Sequence, residues 1–237
     1  MELHRFFVDY DLSVGQFVEI CGSEAHHIKD VLRLKMGYKL IVGNGGDKDY
    51  YAEIVGIDKD KVRVRIERAE SNQTRPSVCL NLYQAVTKSD KFAFIVQKAV
   101  ELGVATITPL ITKYSNPNEL NIDRLNKIII EAAKQCGASA PPKLLPVKKL
   151  EEIEFDIPTF MGYENEQHVN YSDINLENVK ELNLIIGSEG GFSPDEAARL
   201  RDLGVKTFSV GRRILRAETA AVAIIALTLY KAGGMRL

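Results

Sequence analysis

Near the C-terminus the chain reads GRRILRAETAAVAIIAL from Gly211, with Arg212, Arg213, Arg216 and Glu218 at the head of an almost wholly apolar segment. Unpaired charge against an apolar core is costly. These groups therefore either stay solvated at an edge or hold something. Upstream, residues 186–193 read IGSEGGFS. Gly187, Gly190 and Gly191 would let a ligand come close to the backbone. Both stretches follow apolar, strand-like runs, ELNLII and VKTFSV. In open α/β sheets, ligands bind beyond the carboxyl ends of strands. The loop matches neither the P-loop pattern nor the dinucleotide-binding one, and Glu189 is a poor neighbour for phosphate. Glycines beside a carboxylate suit a neutral or cationic ligand bearing hydroxyl groups. On its own, GSEGG is equally a turn before a well-capped helix.

The elements that must position these loops alternate along the second part of the chain. LNLYQAV, VATITPLI, KLLPV, PTFMGYE, ELNLIIG and VKTFSVG read as strands. Between them, Ser89 opens a helix with Phe92, Ile95, Val96, Ala99 and Leu102 at helical spacing, stopping at Gly103. A second helix runs from about Asp123 to Cys136, and Gly137 ends it. In SPDEAARLRDLG, Ser193 is the N-cap, Pro194 takes the first helical position and Glu196 completes a capping box. AETAAVAIIALTLYKAGG is the last helix. Such alternation predicts a mainly parallel sheet with helices on both faces.

Residues 1–70 differ. QFVEI, YKLIVG, YYAEIVGI and KVRVRIE are short strands separated by turn signals. In the last of them Val62, Val64 and Ile66 alternate with Arg63, Arg65 and Glu67, which predicts one buried and one wet face. SEAHHIKDVLRL is a helix with Ser23 as its N-cap. Together these predict a small β-barrel. SNQTRPS at 71–77 is the linker candidate, so the division falls at 1–72 and 73–237.

Bulk composition narrows the function. Lys and Arg number 31 against 32 Asp and Glu, so nucleic-acid binding would rest on a local patch. No run approaches the roughly 18 apolar residues of a membrane span, and the N-terminus lacks a signal-peptide pattern. Cys21, Cys79 and Cys136 lie far apart. That argues against a zinc site or disulfide framework and fits a cytoplasmic protein with no metal.

IGSEGGFSPDE followed by GRRILRAETAA resembles the signature of the RsmE family, bacterial uridine-N3 methyltransferases of small-subunit ribosomal RNA within the SPOUT superfamily. KSDKFAFIVQKAVELGVATITPL, EAAKQCG and HHIKDVLRL resemble further blocks in the same order. The resemblance implies an N-terminal PUA-like barrel and a C-terminal α/β domain with a trefoil knot. It also implies S-adenosylmethionine as methyl donor and a homodimer. The implied cofactor residues are Met161 and Gly162, then Ile186, Gly187, Glu189, Gly190 and Gly191, then Val210, Gly211, Ile214, Leu215, Arg216, Thr219 and Ala220. Ala93, Tyr114, Ala138 and Ser188 depart from the family pattern of Glu, Arg, Arg and Pro.

Methyl transfer from a sulfonium is an in-line displacement, in which the protein chiefly aligns and desolvates the partners. The uridine N3 proton must leave, and a cation near the uracil carbonyls would stabilise the resulting anion. Arg216 is the first candidate for that cation. Glu218 would orient it, cap the last helix or accept from the substrate. An ion pair of Arg216 with Glu218 or Glu189 that only braces the loop is the competing reading. N3 lies on the pairing edge, so the base must be unpaired or flipped out. Arg5, Arg33, Lys88, Lys91 and Lys98 are the candidates for RNA contact. Residues 1–70 hold 11 Lys and Arg against 13 Asp and Glu, and Arg63 and Arg65 fit a solvated face better. His27 reads as a packing residue. The rival functions are a catalytically silent RNA-binding or ribosome-assembly protein of this fold, a methyltransferase for another RNA position, and a nucleotide-binding enzyme. The missing P-loop lysine counts against the last.

Overall fold

The computed structural model describes residues 3–153 and 155–235. It separates into two compact units: Met1–Arg75 with Ala133–Pro141, and Pro76–Ala132 with Pro142–Leu237.

The first unit is a curled five-stranded sheet. Its strands are β1 (Arg5–Phe7), β2 (Phe17–Cys21), β3 (Lys39–Gly43), β4 (Lys48–Ile57) and β5 (Lys61–Ser71), in the order β1-β3-β4-β5-β2. The β1–β3 pairing is parallel and the others are antiparallel. The alternation in β5 is realised: Val62, Val64 and Ile66 are fully buried while Arg63, Arg65 and Glu67 face water. One core of Phe6, Val18, Ile28, Leu40 and Ile54 fills the curl. Strand β1 carries no alternation long enough to read. The expected single helix is instead α1 (Gly22–His26) followed by a wider π-type turn over His27–Val31. Its N-cap is Cys21, without a side-chain hydrogen bond, rather than Ser23.

Arg5 is a correction. It is buried, and its guanidinium donates to both carboxylate oxygens of Asp49 at 2.5 and 2.6 Å. Asn72 donates to the same carboxylate at 2.9 Å. A guanidinium committed in this way is not free for a phosphate. Burial pushes the Asp49 carboxyl up, but the hydrogen bonds from Arg5 and Asn72 and the Arg5 charge outweigh it and hold it below the usual aspartate value.

The second unit is built on a sheet whose every pairing is parallel. Its strands are β6 (Cys79–Ala85), β7 (Thr106–Ile111), β8 (Lys143–Leu144), β9 (Lys148–Lys149), β10 (Thr159–Gly162), β11 (Glu181–Ile186) and β12 (Lys206–Phe208). The order is β12-β10-β11-β6-β7-β8, with β9 also on β7. The helices are α2 (Ser89–Leu102), α3 (Ile122–Gln135), α4 (Pro194–Asp202) and α5 (Ala217–Lys231). Gly103 ends α2 in the left-handed region, at φ +90°. The α4 start carries the expected capping box between Ser193 and Glu196, with Pro194 in the first turn. Parallel pairing sends the carboxyl ends of β10, β11 and β12 to one edge.

Asp49→Ala would strand the Arg5 charge in the first core. Breaking a buried pair in this way costs about 3–5 kcal/mol, readable by urea unfolding. Because the folded carboxyl sits below its unfolded value, the pair stabilises fully above pH ~4, the ordinary aspartate range. That stability drains as pH falls through the depressed folded value. The alanine variant should lose this acid-side slope. An unchanged unfolding midpoint would show that the pair contributes nothing net.

Candidate active site

The carboxyl ends of β10, β11 and β12 open onto a cleft. Gly162, Ile186, Gly187, Gly191, Val210, Gly211, Ile214, Leu215 and Ala220 line it, as expected from the two glycine loops. Glu164, Ser188, Arg212, Arg213 and Ile224 also line it and were not anticipated as ligand contacts. Glu164 lies two residues past the carboxyl end of β10, which itself forms part of this edge.

Two glycines decide the shape. Gly191 has φ +66°, and a Cβ there would lie 2.0 Å from Oε1 of Glu164. A Cβ on Gly187 would meet the Gly191 Cα and the Phe192 ring at 3.2 Å. The turn closes by the Gly191 N–H donating to the Ser188 carbonyl at 3.0 Å. The buried Gln84 amide donates to the Gly187 carbonyl at 3.1 Å and ties the turn to the end of β6.

Several expected cofactor residues lie off the cleft. Met161 is fully buried and packs on the other side of β10, in the core with Tyr163, Ile185 and Leu110. Strand alternation turns it away. Gly190 faces the Tyr114 ring. Thr219 and Arg216 are exposed at the start of α5, where Arg216 is the N-cap residue. Glu189 points outward to accept from the Lys88 backbone N–H at 3.3 Å.

Charge is arranged differently from either reading of Arg216. Among the described residues Arg216 has no ion-pair partner. Lys91 takes that place, with its ammonium 3.4 Å from Glu189 and 3.6 Å from Glu218. It therefore ties the turn after β11 to the first turn of α5. This corrects its expected role in RNA contact, since the cation is already matched by two carboxylates. Burial pushes the Glu189 carboxyl up, yet backbone hydrogen bonds at Glu189 and Lys88 and the Lys91 charge leave it lowered. Oε2 of Glu218 is buried, accepts no hydrogen bond and faces the Lys91 ammonium at 3.6 Å.

A second brace lies behind the cleft. The Glu166 carboxylate accepts from the Thr207 hydroxyl at 2.5 Å and from the Arg201 guanidinium at 2.9 Å. The Thr207 bond, opposed by burial and helped by the backbone of His168, Arg201 and the backbone of Val169, holds Glu166 at about 2. This fixes the segment carrying Glu164 to β12.

The remaining RNA candidates separate. Lys98 is paired with Glu101 at 2.7 Å. Lys88 is exposed. Arg33 is exposed and has φ +53°, a left-handed conformation that costs a non-glycine residue of order 1 kcal/mol or more. It follows the π-type turn, whose closing bonds run from Leu32 to His27 and from Leu34 to Ile28. Of the departures from the family pattern, Ala93 is buried in α2. Tyr114 and Ser188 touch: the Ser188 hydroxyl donates to the Tyr114 carbonyl at 3.2 Å. Ala138 lies just past α3 and donates to the Ala133 carbonyl. Among the described residues no group of three His, Cys, Asp or Glu could hold a metal ion, and no helix is long and apolar enough to cross a membrane.

A glycine-shaped cleft at the carboxyl edge of a parallel sheet, in a chain that also carries a curled β unit, is the arrangement of an RNA methyltransferase. The RNA methyltransferase domain matches residues 74–229, and the RNA methyltransferase PUA domain matches residues 20–67. The ribosomal RNA small subunit methyltransferase E of Rickettsia conorii is 33% identical over 95% of each chain. The protein belongs to this ribosomal RNA small subunit methyltransferase E family. Two solved structures extend the likeness. The Neisseria gonorrhoeae family member bound to S-adenosyl methionine has a TM-score of 0.88 at 26% identity, covering 97% of this chain and 98% of that one. A putative methyltransferase of Legionella pneumophila in complex with SAM has a TM-score of 0.86 at 28% identity, covering 97% of this chain and 98% of that one.

Proposed function

We propose that the protein methylates N3 of a uridine in small-subunit ribosomal RNA, using S-adenosylmethionine, as a cytoplasmic homodimer. The observation that carries this is the cleft itself, formed by the two glycine loops in a chain of this family. Its residues fit the donor. Gly187 and Gly191 both line the cleft, and a Cβ on Gly191 would run into the Glu164 carboxylate that also lines it. Ile186, Leu215 and Ile224 offer apolar contact to an adenine, and the Glu164 carboxylate suits a hydroxyl or ammonium group. When bound, S-adenosylmethionine supplies an electrophilic methyl group.

The residues around it supply the rest. Among the described residues the Arg216 guanidinium has no ion-pair partner, and it stands at the head of α5. It is free to meet the uracil carbonyls and stabilise the imide anion. The Glu218 carboxylate, held in place by Lys91 through its buried Oε2, is the candidate acceptor for the N3 proton. Arg33 holds a strained backbone with its side chain in solvent, a placement that fits a phosphate contact. The division of labour is a PUA-like unit (residues 1–72) that grips RNA and a catalytic unit (73–237). The dimer is supported by α5, whose outer side leaves Leu227 44% and Tyr230 75% exposed. A second copy would cover such a face.

Mass spectrometry of small-subunit ribosomal RNA from cells lacking the gene should show one 3-methyluridine lost, restored by the wild-type gene. An unchanged nucleoside profile would contradict the activity. Arg216→Ala should slow single-turnover transfer on the order of a hundred- to a thousandfold at saturating cofactor, with cofactor affinity little changed. A parallel loss of affinity and thermal stability would make Arg216 a brace instead.

Arg33→Gly separates strain from function. Glycine adopts the left-handed conformation freely, so the variant should melt no lower than wild type, while its affinity for ribosomal RNA falls and its salt dependence flattens by one contact. A variant that binds RNA as wild type does would remove Arg33 from the interface.

A further inference from the structure

We propose that Tyr114 is a stacking platform for an unpaired base of the RNA substrate at the mouth of the cleft. This rests on the RNA methyltransferase reading above and adds a substrate-positioning residue to it.

Tyr114 lies just beyond β7, at the same carboxyl edge as the cleft, and 49% of it is exposed. Exposed side chains at a loop are ordinarily loose, and this one is held from three sides. A Cβ on Gly190 would stand 2.7 Å from the Tyr114 Cβ and 3.0 Å from its Cγ, so the ring root lies against the glycine turn. The Ser188 hydroxyl donates to the Tyr114 carbonyl at 3.2 Å. The turn beneath is closed by the Ser115 hydroxyl, which accepts from the Thr112 N–H at 2.8 Å and donates to the Thr112 carbonyl at 2.9 Å. The neighbouring Lys113 N–H donates to Glu196 at 2.7 Å, which ties the same turn to α4.

The ring is thus preorganised while half its surface stays open. Ser188 and Gly191, on either side of the turn it rests against, both line the cleft. The Lys113 ammonium lies over one face of the ring, 5.7 Å from its centroid. An aromatic plane with a cation at hand is the pair of groups that unstacked nucleotides use: the base stacks on the ring, on the face away from Lys113 or by displacing it, and the phosphate meets the ammonium. Modification at a pairing edge requires an unpaired base. A fixed ring at the cleft mouth gives the target or its neighbour somewhere to rest. A ring that served only to plug the space over Gly190 would not need half its surface exposed.

The chain contains no tryptophan, so Tyr114→Trp creates a single indole reporter at this point. The probe is unmodified small-subunit ribosomal RNA transcribed in vitro. Titration should quench the indole emission, and Tyr114→Phe should bind as wild type does. Tyr114→Leu keeps apolar bulk over Gly190 but has no plane to stack. It should bind the transcript roughly five- to a hundredfold more weakly, the range for loss of one stacked base, with S-adenosylmethionine affinity unchanged by calorimetry. Bound transcript without quenching, or wild-type affinity in the leucine variant, would overturn the stacking role alone. A leucine variant that loses RNA and cofactor affinity together would make Tyr114 a brace and likewise overturn it. Wild-type protein that fails to bind the transcript would overturn both this proposal and the reading it rests on.

Discussion

The cleft exists because the chain reverses immediately after β11, and the reversal depends on two glycines lying almost in contact. Gly191 adopts a left-handed conformation, and a Cβ on Gly187 would come within 3.2 Å of its Cα. A side chain at Gly187 would press on Gly191 and Phe192, and one at Gly191 on the Glu164 carboxylate in the cleft. Several neighbouring features serve to keep that turn in place. Gln84 anchors it to β6, the Ser193–Glu196 capping box starts α4 directly behind it, and Tyr114 rests on its outer side.

Charge does the second part of the positioning. The loop before α5 carries three arginines, and the carboxylates nearby are matched by Lys91 from α2 instead. Among the described residues this leaves the Arg216 guanidinium without an ion-pair partner. In the first unit the opposite holds. Arg5 is withdrawn from the surface by Asp49 and Asn72, so a residue that looks like a phosphate contact is part of the core. The difference comes from burial: an enclosed cation must be matched, and an exposed one is available to a substrate.

Much of the fold was legible in the sequence because its signals are local. The alternation of Val62, Val64 and Ile66, the Gly103 stop and the capping box before α4 each depend on residues close in sequence, and each appears as expected. The two glycine loops were legible as a ligand edge for the same reason. What escaped depends on contacts distant along the chain. Strand β1 is three residues long and is defined only by pairing with β3. The ion pairs of Arg5 and Lys91 join residues far apart in sequence, and no spacing rule points to either. Met161 was misplaced by one step of strand alternation, which turns its side chain into the core beneath the cleft.

The central claim is that the turn at Gly187–Gly191 and the loop before α5 form the binding site for the methyl donor. Calorimetric titration of S-adenosylmethionine into wild-type protein and into Gly191→Val, with circular dichroism to confirm that the variant is folded, tests it most directly. A saturating binding isotherm with one site per chain in wild type, absent in the folded variant, is the predicted result. No heat from wild type at millimolar cofactor, or equal affinity in the two proteins, would contradict it.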